Sequence, residues 1–402
     1  MAPVSHSKCR SSRRWMLAAA GACVALGLAG CSIDLSHLRP GGGDEEEPEP
    51  EPAEPVAAAP LLEEALDDLA AYPALAVTGQ VAESVGEDVQ DATLTVADGG
   101  AAGGTIRMNG VEGELIQVDK KLYINSTESF WLDQGVFGPD FDDFDGNWVR
   151  SATDQAGINP AAVLAPAQLA DILGELEVED EEAVEENLDG TLTHKIDLVG
   201  ERNQLWIDAE TNQIQRIEIE ELVPEDADSG PQVRLDLAEA DETEIEELYD
   251  DLTTVAEDEL GASRDARIEV GWESSPTMDC EPGPHCTWSN TVHDAGGDGS
   301  GTVHVRMDVT FSNDEIGDQE CSDTGKLEAG STLELSCDAD YNIVSSTQQS
   351  YEINGEAALV TRGLTGGQQE DMLAALEEQR EATLAGGGEG SEEAADEEDE
   401  ED

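Results

Sequence analysis

Among the 402 residues, seven cysteines and six histidines are the side chains best suited to covalent or metal chemistry. Cys31 ends the motif Leu28-Ala29-Gly30-Cys31, directly after an apolar run from Trp15 to Gly30. Small residues ahead of the cysteine admit a peptidase, and a thiol in that place accepts a diacylglycerol, so the motif resembles a lipobox with Cys31 as the lipidation site. Cys280, Cys286, Cys321 and Cys337 form a second group far downstream. In an exported chain an even set reads as two disulfides. The Pro282-Gly283-Pro284 turn favours Cys280 with Cys286, and Cys321 with Cys337 would cross neighbouring strands, although the other pairings stay open. The rival chemistry is zinc held by Cys280, His285, Cys286 and either His293 or His304, but that spacing matches no standard finger and an oxidising compartment disfavours free thiols.

Catalytic patterns are missing. There is no serine on a nucleophile elbow, no phosphate-binding glycine loop ahead of a helix and no HExxH, so neither an enzyme nor a cofactor is expected. Phe141-Asp142-Asp143-Phe144-Asp145-Gly146 mimics part of a calcium loop, yet the first acid is replaced by Phe141 and no glutamate closes it, which reads as an exposed acidic loop and no metal site. Gly296 to Gly301 reads as a flexible hairpin.

Charge narrows the function further. The chain carries 93 acids against 19 bases, a formal charge of −74 and a pI near 4.1, which excludes a nucleic-acid binder that works by neutralising phosphates. Dense carboxylates repel one another less as salt rises, because the Debye length falls from roughly 8 Å at 0.15 M to roughly 3 Å at 1 M. With five lysines in all, the composition resembles that of salt-adapted, halophilic bacteria. Lys8, Arg10, Arg13 and Arg14 precede the apolar run, so residues 1–30 read as a signal peptide; the run is too short for a comfortable bilayer span. Arg13-Arg14 also fits twin-arginine export, and the route stays open. Two or more acyl chains on Cys31 would hold the mature protein durably at the extracytoplasmic face of the cell membrane.

The elements that position these groups follow from periodicity. Residues 31–59, with alternating Glu and Pro, read as an acidic, extended tether. Leu61, Leu62, Ala65, Leu66 and Leu69 make one helical stripe ending before Pro73. Period-two strands follow through Leu75-Val81, Ala92-Val96, Gly104-Met108, Leu115-Val118, Leu122-Ile124 and Phe130-Leu132, with turns at Asp98-Gly99-Gly100 and Asn109-Gly110. A helical segment runs from Asn159-Pro160 to Gly174. After the acidic stretch 177–187 strands resume around Leu192-Leu198, Leu205-Ile207, Ile217-Ile219 and Val233-Leu237. The class is α+β: a strongly curved antiparallel sheet with helices on its concave side.

Ala76-Val77-Thr78-Gly79-Gln80, Gly103-Gly104-Thr105-Ile106, the stretch Ile116 to Ile124, Gly146-Asn147-Trp148-Val149 and Asn159 to Leu164 carry a resemblance to the LolA-like lipid-carrier lipoproteins of actinobacteria, the LppX and LprG type, over about residues 60–240. The acidic insert 177–187, the Asp-rich loop 140–145 and a second domain depart from that pattern. The resemblance implies a half-barrel whose apolar cavity holds the acyl chains of a lipid or lipoglycan, with Leu75, Val77, Leu94, Ile106, Leu169 and Ile172 as candidate lining. The competing reading of each is an ordinary core position.

Downstream, Ile245, Leu248, Leu252 and Val255 form the apolar stripe of a linking helix over 241–262. Strands over 268–272, 287–288, 303–311, 333–337 and 351–353 predict a small all-β sandwich over 263–384, closed by a helix around Met372, Leu373 and Leu376. Residues 385–402, dense in acids, read as a disordered tail. Two functions follow as expectations: a lipid-binding or lipid-carrying lipoprotein, or a non-enzymatic scaffold whose domain 263–384 binds an envelope protein or wall polymer.

Overall fold

Strand pairing and two helical layers account for nearly all of the secondary structure. The computed structural model describes residues 55–84, 86, 88–224, 227–281, 283–297, 299–343 and 349–387; the leader, Cys31, the tether up to Glu54 and the acidic tail beyond Gly387 lie outside them. The described residues from Pro55 onward form one compact unit.

The stretch expected as tether up to 59 includes regular structure. Val56–Ala57 is a short strand (β1), and helix Ala58–Ala70 (α1) follows, burying Ala58, Leu61, Leu62, Ala65 and Leu69 on one face. An antiparallel meander comes next: Ala74–Ala82 (β2), Gln90–Ala97 (β3), Ala102–Met108 (β4), Val111–Val118 (β5) and Lys121–Ser126 (β6). Asn109 and Gly110 both take positive φ, as a two-residue hairpin requires. Gly79 on β2 and Gly104 on β4 adopt φ of 154° and 149°, and a Cβ there would lie 2.2 and 2.1 Å from the carbonyl oxygens of Arg234 and Thr93. Those glycines let the neighbouring backbones approach closely.

Phe130-Trp131-Leu132, expected as a strand, is helix Glu128–Asp133 (α2), because Phe130 and Trp131 bury themselves on one side of a single turn. Trp148–Ser151 (β7) pairs with β6. The helical segment expected from 159 to 174 is broken: after Thr153–Ala156 (α3) come Pro160–Val163 (α4) and Pro166–Gly174 (α5), since Pro166 cannot donate within a continuous helix. The acidic stretch is not an insert between strands but holds one. Glu182–Leu188 (β8) is paired by β1 on one side and Thr191–Asp197 (β9) on the other, and its carboxylates point to solvent. Gln204–Asp208 (β10), Ile214–Ile219 (β11) and Gln232–Glu239 (β12) complete the run, and β12 returns beside β2.

Helix Glu242–Asp258 (α6) follows, capped by Asp241, whose carboxylate accepts from the Glu244 amide while the Glu244 carboxylate accepts from Asp241. Arg264–Asp265 (β13) then runs parallel to β7. The resulting sheet has 13 strands in the order β1-β8-β9-β10-β11-β12-β2-β3-β4-β5-β6-β7-β13 and is not a closed barrel.

Alternation along its strands builds two cores. Leu75, Val77, Leu94, Ile106, Leu115 and Ile124 face α1, α2 and α5, whereas Ala74, Ile116, Val118, Tyr123 and Trp148 face the opposite side. Helices were expected on one face alone. They cover both, because α6 lays Ile245, Leu248, Tyr249, Leu252 and Ala256 on the second face.

The β-sandwich comprises Val270–Trp272 (β14), Thr277–Cys280 (β15), His285–Asp294 (β16), Thr302–Ser312 (β17), Gln319–Glu328 (β18), Thr332–Asp340 (β19) and Asn354–Arg362 (β20). Strand β16 pairs with β14, β15 and β19 in one sheet, and β17 sits between β18 and β20 in the other. Residues 295–301 therefore cross between sheets and do not form a hairpin. Strand β18 escaped the sequence reading because its sequence, QECSDTGKLE, is almost wholly polar, and 351–353 lies just ahead of β20. The last helix, Gly366–Gly387 (α7), does not close the sandwich. It packs on α6, burying Met372 and Leu376 in the second core.

A polar seam joins the halves. Thr361 on β20 donates from its amide and its hydroxyl to Asp140 Oδ2 at 2.7 and 2.8 Å, and Tyr123 Oη donates to the Gly363 carbonyl at 3.2 Å. Asp265 is held by Arg267 through Nε at 2.9 Å and Nη2 at 2.7 Å. In the Asp-rich loop Asp142, Asp143 and Asp145 are exposed, with Asp143 paired to Arg264 at 2.7 Å, whereas Asp140 is 6% exposed and Phe144 2%.

Candidate functional site

The six residues proposed to line a cavity come together on the first face of the sheet. Val77 stands opposite Leu94 and Ala92 opposite Ile106 in the ladder, and Leu169 and Ile172 reach the same cluster from α5. All six are buried, with Ile172 the most exposed at 8%. Other apolar side chains share this buried cluster between sheet and helices. Leu61, Leu62 and Leu69 of α1, Leu169 and Leu173 of α5, Trp131 of α2 and Leu205, Ile207, Ile217 and Leu235 of the sheet belong to it.

Space remains at the seam of α1 and α5. A groove of about 670 Å³ runs between them, with Leu62, Leu66, Ile172, Leu176, Val178 and Val223 among its lining. Glu63, Asp67, Asp171 and Glu175 also line it, and no base does among the described residues. Leu62 and Ile172 belong both to this groove and to the packed core, so the groove touches the interior through apolar side chains. Such a surface favours an uncharged, apolar guest over an anionic group.

Sequence reasoning missed the concentration of aromatic residues beside this core. Four of the five phenylalanines lie between 130 and 144, and their rings form a chain: Phe137 to Phe141 at 6.3 Å, Phe141 to Phe144 at 5.7 Å, Phe144 to Trp131 at 5.6 Å and Trp131 to Phe130 at 5.2 Å. The signal was composition, since aromatics are only 4% of the chain.

The cysteines are paired as Cys280 with Cys286 and Cys321 with Cys337. The first pair links directly opposed residues of β15 and β16; the second joins β18 to β19 and so ties the two sheets of the sandwich together. With those thiols consumed, Cys280 and Cys286 are not zinc ligands here. His285 instead lies 2.9 Å from Asp340 through Nδ1, and that carboxylate raises its pKa. Cys31 lies outside the described residues.

No protein-family model matches the chain, and no curated protein matches it in sequence. Among solved structures, LprF from Mycobacterium bovis is 15% identical, aligned over 45% of this chain and 93% of its own, with a TM-score of 0.29. MucB in complex with MucA(peri) is 13% identical over 79% of this chain and 98% of its own, and MucB alone is 11% identical over 78% and 96%; both have a TM-score of 0.22.

Proposed function

We propose that the protein is a lipid-anchored lipoprotein of a salt-adapted bacterial envelope, held at the extracytoplasmic face of the membrane through Cys31, that binds acyl chains of a lipid or lipoglycan beneath α1 and α5. The observation carrying this reading is the α1–α5 groove, whose Leu62 and Ile172 are shared with the core. A guest entering there replaces protein side chains that are already buried. Exchange of one apolar neighbour for another is nearly neutral, so the driving force is the removal of the guest's own methylenes from water, roughly 0.8 kcal/mol each. No catalytic residue, metal or cofactor enters this reading.

Native mass spectrometry of protein extracted in mild detergent tests it. The expected spectrum carries a mass increment matching an acyl lipid, which disappears when Leu66 and Leu176 are both replaced by Glu. A spectrum of bare protein overturns the lipid reading. That outcome favours the scaffold, in which the first half is packed solid and the β-sandwich engages a partner protein or wall polymer.

A further inference from the structure

A second cleft, also about 670 Å³, opens where the loop after α2, the α3–α4 segment, the approach to β12 and the start of the sandwich converge. We infer that this cleft, walled by Phe137 of the first half and Glu269 of the second, binds an uncharged oligosaccharide.

Two observations, an open ring and its polar surroundings, carry the inference independently of the lipid reading. Phe137 lines the cleft with half of its surface exposed, 52%, although the ring chain running from it into the core holds it in place. In a chain so poor in aromatic residues, a fixed and open ring is a stacking platform, and the C–H face of a pyranose packs on such a surface as other flat apolar groups do. Around it stand Gln134, Asn159, Asp154 and Glu269, planar amides and carboxylates that accept from, or donate to, neighbouring hydroxyls. Behind Gly157 of the wall lies Gln90, 4% exposed, whose Oε1 has no hydrogen-bond partner among the described residues. A Cβ on Gly157 would sit 2.5 Å from the Gln90 amide nitrogen, so glycine lets that buried amide pack directly behind the wall.

Charge removes the competing ligand classes. Arg267 is the one base among the described lining residues, and its guanidinium already serves Asp265 and the Thr302 carbonyl, the latter at 2.7 Å. A phosphate or carboxylate ligand would meet Asp154 and Glu269 without a free cation to offset them.

The experiment is calorimetric titration of the full-length mature protein with cellohexaose, mannohexaose and maltohexaose. One of the three is expected to bind with a Kd tighter than about 1 mM. Phe137→Ala should weaken it about tenfold or more, Phe137→Tyr should keep it, and Val184→Ala, on the far β8 strand, should not change it. An unchanged thermal midpoint for Phe137→Ala shows that folding is intact. Absence of binding by all three sugars, or equal affinity in Phe137→Ala, overturns the inference. Phe137-dependent binding of an uncharged hexapeptide without any sugar binding would also overturn it and make the cleft a protein-docking site.

Discussion

Thr361 Oγ1 donates to Asp140 Oδ2 at 2.8 Å while accepting from the Asp265 amide at 2.9 Å, so one hydroxyl ties together a loop of the first half, strand β13 and strand β20. Residues 221 apart in the chain meet at this oxygen. Thr361 is 2% exposed, which leaves water no means of replacing either bond.

Thr361→Val keeps the shape and removes the hydroxyl, so Asp140 Oδ2 loses one of its two bonds from this residue and the buried Asp265 amide loses its acceptor. It should cost about 1–3 kcal/mol in urea unfolding, and Thr361→Ser should recover most of the loss. Equal stability of the valine variant and the wild type would mean that the seam does not hold the halves together.

Asp140 gives this seam a pH dependence. Burial pushes its pKa up, and the two hydrogen bonds from Thr361 and the nearby Arg264 oppose that only in part. A raised carboxylate binds its proton more tightly when folded, so its contribution to stability is complete below the ordinary carboxylate range and is lost as pH rises through the raised value. Asp140→Asn removes this term. Its stability relative to wild type should therefore improve as pH is raised from about 4 to 7, measured as paired urea midpoints. A difference independent of pH would contradict the assignment.

The two disulfides should differ in worth. Cys321 and Cys337 close a longer loop, with a separation of 16 residues against 6 for Cys280 and Cys286. Loop-closure entropy makes the first worth about 3 kcal/mol and the second about 2 kcal/mol. Paired replacement by Ala, followed by thermal unfolding, should show the larger loss for Cys321/Cys337.

Met372 is 0% exposed in the core that α7 shares with α6 and the large sheet. Met372→Ala should cost about 2–5 kcal/mol. Hydrogen exchange should locate the loss in α6 and β3–β5; protection lost only within the sandwich would contradict the placement of α7.

Cys31→Ala tests the anchor. The variant should appear in the medium, and wild-type protein should stay with the membrane fraction. Continued retention of the variant would argue against lipidation at that cysteine.

Much of the first half was legible in its residues. The alternation of Leu75, Val77 and Val81, or of Ala92, Leu94 and Val96, marks strands because successive side chains point to opposite faces, and Asn109-Gly110 marks the turn between two of them. The candidate lining was legible as a set that shares one face. Strand β8 was not, since its backbone pairs on both sides while its acidic side chains carry no apolar period.

The sequence by itself determined the overwhelming acidity, the order of strands and helices through most of the first half, and the cysteines available for pairing. Tertiary structure decided that Val77 and Ile172 share one buried cluster, that α7 returns to the first half, and that Asp140 is buried under Thr361. The division has a physical cause. Periodicity and turn chemistry act over a few neighbouring residues, whereas contact between two apolar faces depends on the volumes and registers of segments far apart in the chain.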